Sequence, residues 1–127
     1  MTAETLETSP SLLDPKERRL REDLPRIIQA ALREVDPAQA VRNHLRREGD
    51  LLLVDGQRYD LARFRRIFVV GGGKAGAPMA AAMEEVLGDR LTGGLVNVKY
   101  GHAGVRTARV EVREAGHPIP DAQGEAG

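Results

Sequence analysis

The sequence contains no cysteine. Disulfides, thiolate catalysis and cysteine-ligated zinc are therefore excluded. Tryptophan is absent too, and aromatics make up only 3% of residues, so any core must be built from Leu, Val, Ile and Ala. No serine follows Ser11, which leaves a Ser-His-Asp hydrolase without its nucleophile over the rest of the chain. Charge of one sign is missing as well: 19 basic residues balance 19 acidic ones. That balance argues against broad electrostatic binding to nucleic acid or to a membrane surface. No apolar run approaches the ~18 residues of a membrane span. The acidic, polar start MTAETLETSPSLLDP lacks the basic head and apolar centre of a signal peptide. These absences point to a cytoplasmic enzyme or binding domain.

What is present is a chain of 127 residues, 41% hydrophobic and 30% charged, a size that suits one domain or part of a larger one. Residues 1–13 read as a flexible tail. DPKE then predicts a helix start, with Asp14 as N-cap, Pro15 at the first helical position and Glu17 as the reciprocal cap partner. Leu20, Leu24, Ile27, Ile28, Ala31, Leu32 and Val35 follow at helical spacing, and Pro25 is expected to kink or split that helix. The charges of KERRLRED form a solvated face, with Glu17 and Arg21 one turn apart. DPAQAVRNHLRR repeats the pattern, with Asp36 as cap, a buried stripe of Ala40, Val41 and Leu45, and His44 exposed. LLLVDGQRYDL predicts a hairpin, Leu51–Val54 and Gln57–Tyr59 about a turn at Asp55-Gly56.

After Phe64 the pattern changes. RIFVV is a short apolar strand suited to burial on both faces. KAGAPMAAAMEEVLG is a helix of three to four turns ended by Gly88, GGLVNVKY a second strand and RVEVREAG a third. Strand, helix and strand with a crossover of this length predict a right-handed βαβ unit and a parallel sheet. The fold class is therefore α/β: a Rossmann-like parallel sheet with flanking helices, preceded by N-terminal helices and a small β-hairpin. Three strands and one crossover helix make an incomplete domain. The closing DAQGEAG comes just where a further helix begins.

Gly71, Gly73 and Gly76 satisfy G-x-G-x-x-G between a strand and a helix start. The spacing allows a tight turn, close approach of backbone to an anion, and close helix–sheet packing. Exposed N–H groups and the positive helix end favour phosphate or carboxylate. For a dinucleotide, an acidic residue should end the second strand to hold the ribose, but that strand ends in Lys99 and Tyr100, and Asp89 falls before it. Lys99 at that point suits a 2′-phosphate, which keeps NADP open. The loop is not a Walker A sequence, because no Ser or Thr follows Lys74. Lys74 lies in the loop-to-helix turn, where its ammonium either meets a backbone-held anion, as phosphoryl transfer requires, or is an ordinary exposed lysine.

The loop VKYGHAG places Lys99, Tyr100 and His102 at the carboxyl edge of the same sheet, and EAGHPIPDAQG places His117 there, with Asp121 able to cap the next helix. Three successive strands thus release glycine-bearing loops at one edge. His102, His117 and Asp121 match no known metal-ligand spacing, so no metal site is assigned.

Taken together, VVGGGKAGAPMAAAME, VKYGHAG and EAGHPIPDAQG resemble the class II glycerate kinases, those with the MOFRL-type C-terminal domain. AVRNHLRREGDLLLVDGQRYDLARFRRIFVVGGGKA is similar to the same family's upstream segment, so the resemblance covers nearly all of the chain after Leu20. It implies ATP-dependent transfer of phosphate to D-glycerate, with Mg²⁺, in a cleft between two α/β domains. It assigns a catalytic role to Lys74 and places Gly71, Gly72 and Gly73 on the phosphate loop. Lys99, His102 and His117, from their place at the same sheet edge, are the further candidates for binding substrate or phosphate. The family more often has an alanine among these glycines and another at the position of Gly76; GGGKAG here should loosen the helix start slightly without removing the anion site. Family members run to several hundred residues, so residues 14–127 read as the N-terminal part of the first α/β domain, inactive as a fragment. Two other readings stand beside this one: an NAD(P)-dependent oxidoreductase domain built on G-x-G-x-x-G, and a non-catalytic anion-binding domain.

Overall fold

The computed structural model describes residues 14–127; the expected tail at 1–13 lies outside them. The chain divides into two compact units between Val35 and Asp36.

The first unit holds helix α1 (Pro15–Glu34). Asp14 caps it by accepting the Lys16 N–H at 3.3 Å, with Pro15 in the first turn. The helix runs through Pro25 without the split that the proline predicts. A proline removes one i→i−4 bond and crowds one carbonyl, and the remaining bonds of a 20-residue helix carry it across that gap. The ion pair on its polar face is Asp23–Arg26, at 3.7 Å and well exposed, rather than Glu17 with Arg21. The stripe of Leu20, Leu24, Ile27, Ile28 and Leu32 has the expected spacing, yet each of these residues is at least 49% exposed.

In the second unit, helix α2 (Pro37–His44) is capped by Asp36, whose carboxylate accepts the Gln39 N–H at 2.6 Å. It ends at His44, earlier than the helical reading of DPAQAVRNHLRR. Leu45 leaves the helical stripe to open strand β1 (Leu45–Glu48), which pairs antiparallel with β2 (Leu51–Val54); β2 in turn pairs with β3 (Gln57–Asp60). The expected hairpin is thus two-thirds of a three-stranded meander. The extra strand forms because Gly49, at φ 59°, turns the chain so that Leu45 and Arg47 are half-buried while Arg46 and Glu48 face water. Asp55 and Gly56 both have positive φ, 47° and 81°, as the tight turn between β2 and β3 requires.

The βαβ reading holds. Strand β4 (Phe68–Gly72), helix α3 (Gly76–Leu87) and strand β5 (Gly93–Lys99) are followed by β6 (Val110–Ala115) and a short helix α4 (Ala122–Ala126). The sheet order is β4-β5-β6 and both pairings are parallel, from Phe68↔Gly93 to Lys99↔Ala115. Gly88, at φ 54°, ends α3. The core lies where α3 meets this sheet: Ala77, Ala80 and Leu87 pack with Leu91, Val96, Val98 and Val110, and Leu61 joins them from the turn after β3.

Strand β4 departs from expectation. Its apolar run suits burial on both faces, yet Phe68 is 55% and Val70 80% exposed. Val69 packs against the core while Phe68 and Val70 point away, because successive side chains alternate faces and only one face is covered by α3. No helix among the described residues is long and apolar enough to cross a membrane.

Candidate phosphate-binding edge

All three parallel strands deliver their carboxyl ends to one edge, so the chain leaves the sheet there at Gly72, Lys99 and Ala115. The loop after β4 turns most sharply. Gly73 sits at φ 124°, a conformation that L side chains rarely adopt. Its N–H bonds the Asn97 carbonyl at 2.9 Å, and its own carbonyl accepts the Gly76 N–H at 3.0 Å, which closes the turn. Gly76 is needed for a different reason: a Cβ there would stand 2.5 Å from Val96 Cγ1 and 3.1 Å from Val98 Cγ1. Its absence brings the start of α3 hard against β5, so the role of this glycine is close packing rather than the looser helix start that the sequence suggests. A Cβ on Gly71 would meet only Val96 at an ordinary 3.9 Å.

Helix α3 begins with Ala75 in the cap position, and no side chain caps it. Pro78, in its first turn, has no N–H to satisfy. The Gly76 N–H is taken up by the Gly73 carbonyl, so what the helix start offers is chiefly the positive end of its dipole, at residues that line the groove. An anion placed there gains from it. The groove, of about 750 Å³, is lined by Gly71–Gly73, Lys74, Gly76, Met79, Met83 and His117, with Phe68 and Val70 on its open side. Lys74 is exposed at its edge. A smaller cavity of about 130 Å³ adjoins it and shares Gly72, Gly73 and His117, adding Lys99, Asn97 and Gly116.

The structure thus brings Gly71, Gly72, Gly73, Lys74 and His117 onto one groove and places Lys99 in the adjoining cavity. His102 is separated from them. It closes the turn after β5 by donating its backbone N–H to the Lys99 carbonyl at 3.0 Å, and its exposed side chain lines neither cavity.

Two features escaped the sequence reading: the place of Asn97, and the bond that joins Tyr100 to Asp121, residues it named only singly. Asn97 lies inside β5, where its Nδ2 donates to the Gly124 carbonyl at 3.1 Å, and its Oδ1 is buried without a partner among the described residues. A lone amide inside the apolar run GLVNVKY is the signal that marks it. The second is a cluster behind the His117 loop. The Asp121 carboxylate accepts the Gly124 N–H at 3.0 Å and the Tyr100 hydroxyl at 2.7 Å. Hydrogen bonds from the Gly116 N–H, the Tyr100 hydroxyl and the Gly124 N–H hold the Asp121 carboxyl below its usual range, and the bond to Asp121 pushes the Tyr100 phenol up.

Comparison with known proteins decides the lineage of this edge. Residues 23–127 match the family described as Domain of unknown function (DUF4147). The chain belongs to that family, whose domain occurs in glycerate 2-kinases. It is similar to the glycerate 2-kinase of Pyrococcus horikoshii, 35% identical over 96 residues, which are 76% of this chain and 21% of that protein. It is also similar to a protein of Agrobacterium vitis provisionally named a hydroxypyruvate reductase, 41% identical over 103 residues, 80% of this chain and 20% of that one. Among solved structures, a protein of Pyrococcus horikoshii OT3 shares the fold with a TM-score of 0.68 at 35% identity, over 82% of this chain and 23% of that chain. The family membership bears out the resemblance read from the three glycine loops, and the shared fold bears out the α/β reading. The chain spans about a fifth of the length of the curated relatives it matches.

Proposed function

We propose that this chain supplies the glycine-loop and lysine part of an ATP-dependent glycerate kinase site, which transfers a phosphoryl group to D-glycerate. One observation carries the reading: Lys74, the uncapped start of α3 and His117 share a single groove at the carboxyl edge of a parallel sheet. A phosphoryl group in transfer spreads negative charge over its oxygens, and positioned cations and N–H dipoles are what lower that barrier. In this reading the Gly71–Gly73 backbone holds phosphate, the Lys74 ammonium neutralises charge during transfer, and Lys99 and His117 bind the polar groups of substrate or phosphate. A cytoplasmic setting, where ATP is at hand, goes with it. Mg²⁺ belongs to the family's chemistry, but the described residues hold no group of three His, Asp or Glu side chains able to ligate a metal. In this reading Mg²⁺ would arrive with the ATP phosphates.

The test is phosphoryl transfer from labelled ATP to D-glycerate by the native protein. Lys74→Ala should lower turnover on the order of 10²–10³-fold, as loss of one transition-state donor does elsewhere. His117→Ala should cost more than His102→Ala, since only His117 lines the groove. Undiminished turnover in Lys74→Ala removes Lys74 from the mechanism.

The G-x-G-x-x-G turn between β4 and α3 favours a second reading, NAD(P)-dependent reduction, which the provisional name of the Agrobacterium vitis relative also suggests. Against NAD, β5 ends in Lys99, with no carboxylate for a ribose, while the same lysine leaves a 2′-phosphate, and so NADP, open. Equilibrium dialysis against NADH and NADPH separates the two, and absence of binding sinks the reductase.

A further inference from the structure

His117 stands on the irregular segment between β6 and α4, ahead of Pro118 and Pro120, and something must hold that segment against the groove. Asp121 sits at the centre of the hydrogen bonds that do so. One of its carboxylate oxygens, Oδ1, accepts the Gly124 N–H at 3.0 Å, which is all that a helix cap needs. The other, Oδ2, accepts the hydroxyl of Tyr100 at 2.7 Å, and Tyr100 belongs to the turn after β5 rather than to this loop. Gly116, directly before His117, is held close by its own loop: a Cβ on it would lie 2.5 Å from the Ile119 carbonyl oxygen, and 3.1 Å from Asp121 Cγ and 3.2 Å from Oδ2. The Tyr100 turn is itself pinned to the end of β6. Its backbone N–H bonds the Ala115 carbonyl at 3.3 Å, and the next N–H, of Gly101, bonds a carboxylate oxygen of Glu114 at 2.7 Å.

We propose that Tyr100 and Asp121 form a latch between the loops after β5 and β6, and that this latch positions His117 against the glycine loop. Both are positioning residues, acting on the groove through His117. Their contribution to catalysis rests on the reading of the groove as a phosphoryl-transfer site. A capping role alone accounts for Oδ1 but leaves the bond from Oδ2 to a tyrosine on another loop without a purpose. The latch accounts for both oxygens.

The experiment follows the His117 ring protons by NMR in the 127-residue chain, assigned with His117→Gln, in Tyr100→Phe and Asp121→Asn. Tyr100→Phe removes only the hydroxyl, and Asp121→Asn keeps an amide oxygen that still caps α4. In both variants the His117 ring signal should shift or broaden. The His44 signal and the melting temperature should stay in place. Affinity for ATP, titrated on the native protein, should fall roughly three- to tenfold, the worth of one hydrogen bond. An unmoved His117 signal in both variants overturns the latch, whatever ATP does. A native protein that transfers no phosphoryl group from ATP to D-glycerate, with His117 displaced in Tyr100→Phe, upholds the latch as a loop-positioning device and removes the kinase reading instead.

Discussion

Gly94 shows how much a single missing side chain decides. It pairs with Val69 across β4 and β5, and a Cβ on it would fall well inside van der Waals distance of the Val69 carbonyl oxygen, with the Val69 backbone N and carbonyl carbon also crowded. A main-chain atom in a paired strand cannot swing aside as a flexible side chain can. Gly94→Ala should therefore destabilise the chain by about 1–3 kcal/mol through overpacking. Gly104 is the matched control, since a Cβ there meets nothing within 4 Å and its φ is ordinary; Gly104→Ala should stay within ~0.5 kcal/mol of wild type. Urea titration of both variants checks the contrast, and equal loss in the two would refute the steric argument. The same logic explains what the motif spacing shows and what it hides. G-x-G-x-x-G marks the strand-to-helix turn, because such a turn needs glycine. It does not say that Gly73 answers to backbone conformation, Gly76 to packing against Val96, and Gly71 to neither.

At the scale of elements, Glu84 does what no local pattern announces. It lies on α3, and its carboxylate accepts three successive backbone N–H groups that lead into β6: Ala108 at 2.7 Å, Arg109 at 2.6 Å and Val110 at 2.6 Å. Burial pushes this carboxyl up, but the three donors, with the charge of Arg109, outweigh it and hold the carboxyl below its ordinary value. A carboxyl depressed in the folded state adds stability above its unfolded pKa, and that stability is lost as pH falls through the folded value. Glu84→Gln should thus cost roughly 1–3 kcal/mol at neutral pH, the usual range for hydrogen bonds to a charged group. The gap between wild type and variant should close as acid protonates Glu84. Chemical denaturation at neutral and acidic pH measures it; a gap that stays constant with pH would assign the effect to packing rather than charge. Interactions of this kind set the limit of sequence reading. Capped helices, the Asp-Gly turn and the βαβ order are legible because their signals lie within a few residues. Strand β1 is not, because LRRE is too short to show a period, and its fate is decided by pairing with Leu51–Val54. The Tyr100–Asp121 bond, 21 residues apart, leaves no local trace either.

For the molecule as a whole, the open face of β4 is the feature with the widest consequence. Parallel sheets are covered on both faces almost without exception, and VV in RIFVV carries that demand in its composition. The core satisfies it on one face only, through Ala77, Ala80, Val96 and Val98. On the other, Val70 is 80% and Phe68 55% exposed, with Met79 at 42% beside the groove. Sequence indicates that the strand wants two covers but not what supplies the second. Water over this face is unfavourable by about 25 cal/mol per Å² of apolar surface, a drive toward any apolar contact available. The 127-residue chain should therefore bind a hydrophobic dye and self-associate as its concentration rises. Val70→Lys should weaken both, because the charge lies on the exposed face while Val69 and the α3 packing are untouched. Dye fluorescence and light scattering over a concentration series are the measurements. A conservative replacement on the covered face, Val96→Ala, should instead lower the melting temperature, at a cost near the upper end of the roughly 0.5–3 kcal/mol typical of point mutants. If Val70→Lys lowers the melting temperature as Val96→Ala does, then the Val70 face is packed in solution, and the dye-binding surface must lie elsewhere.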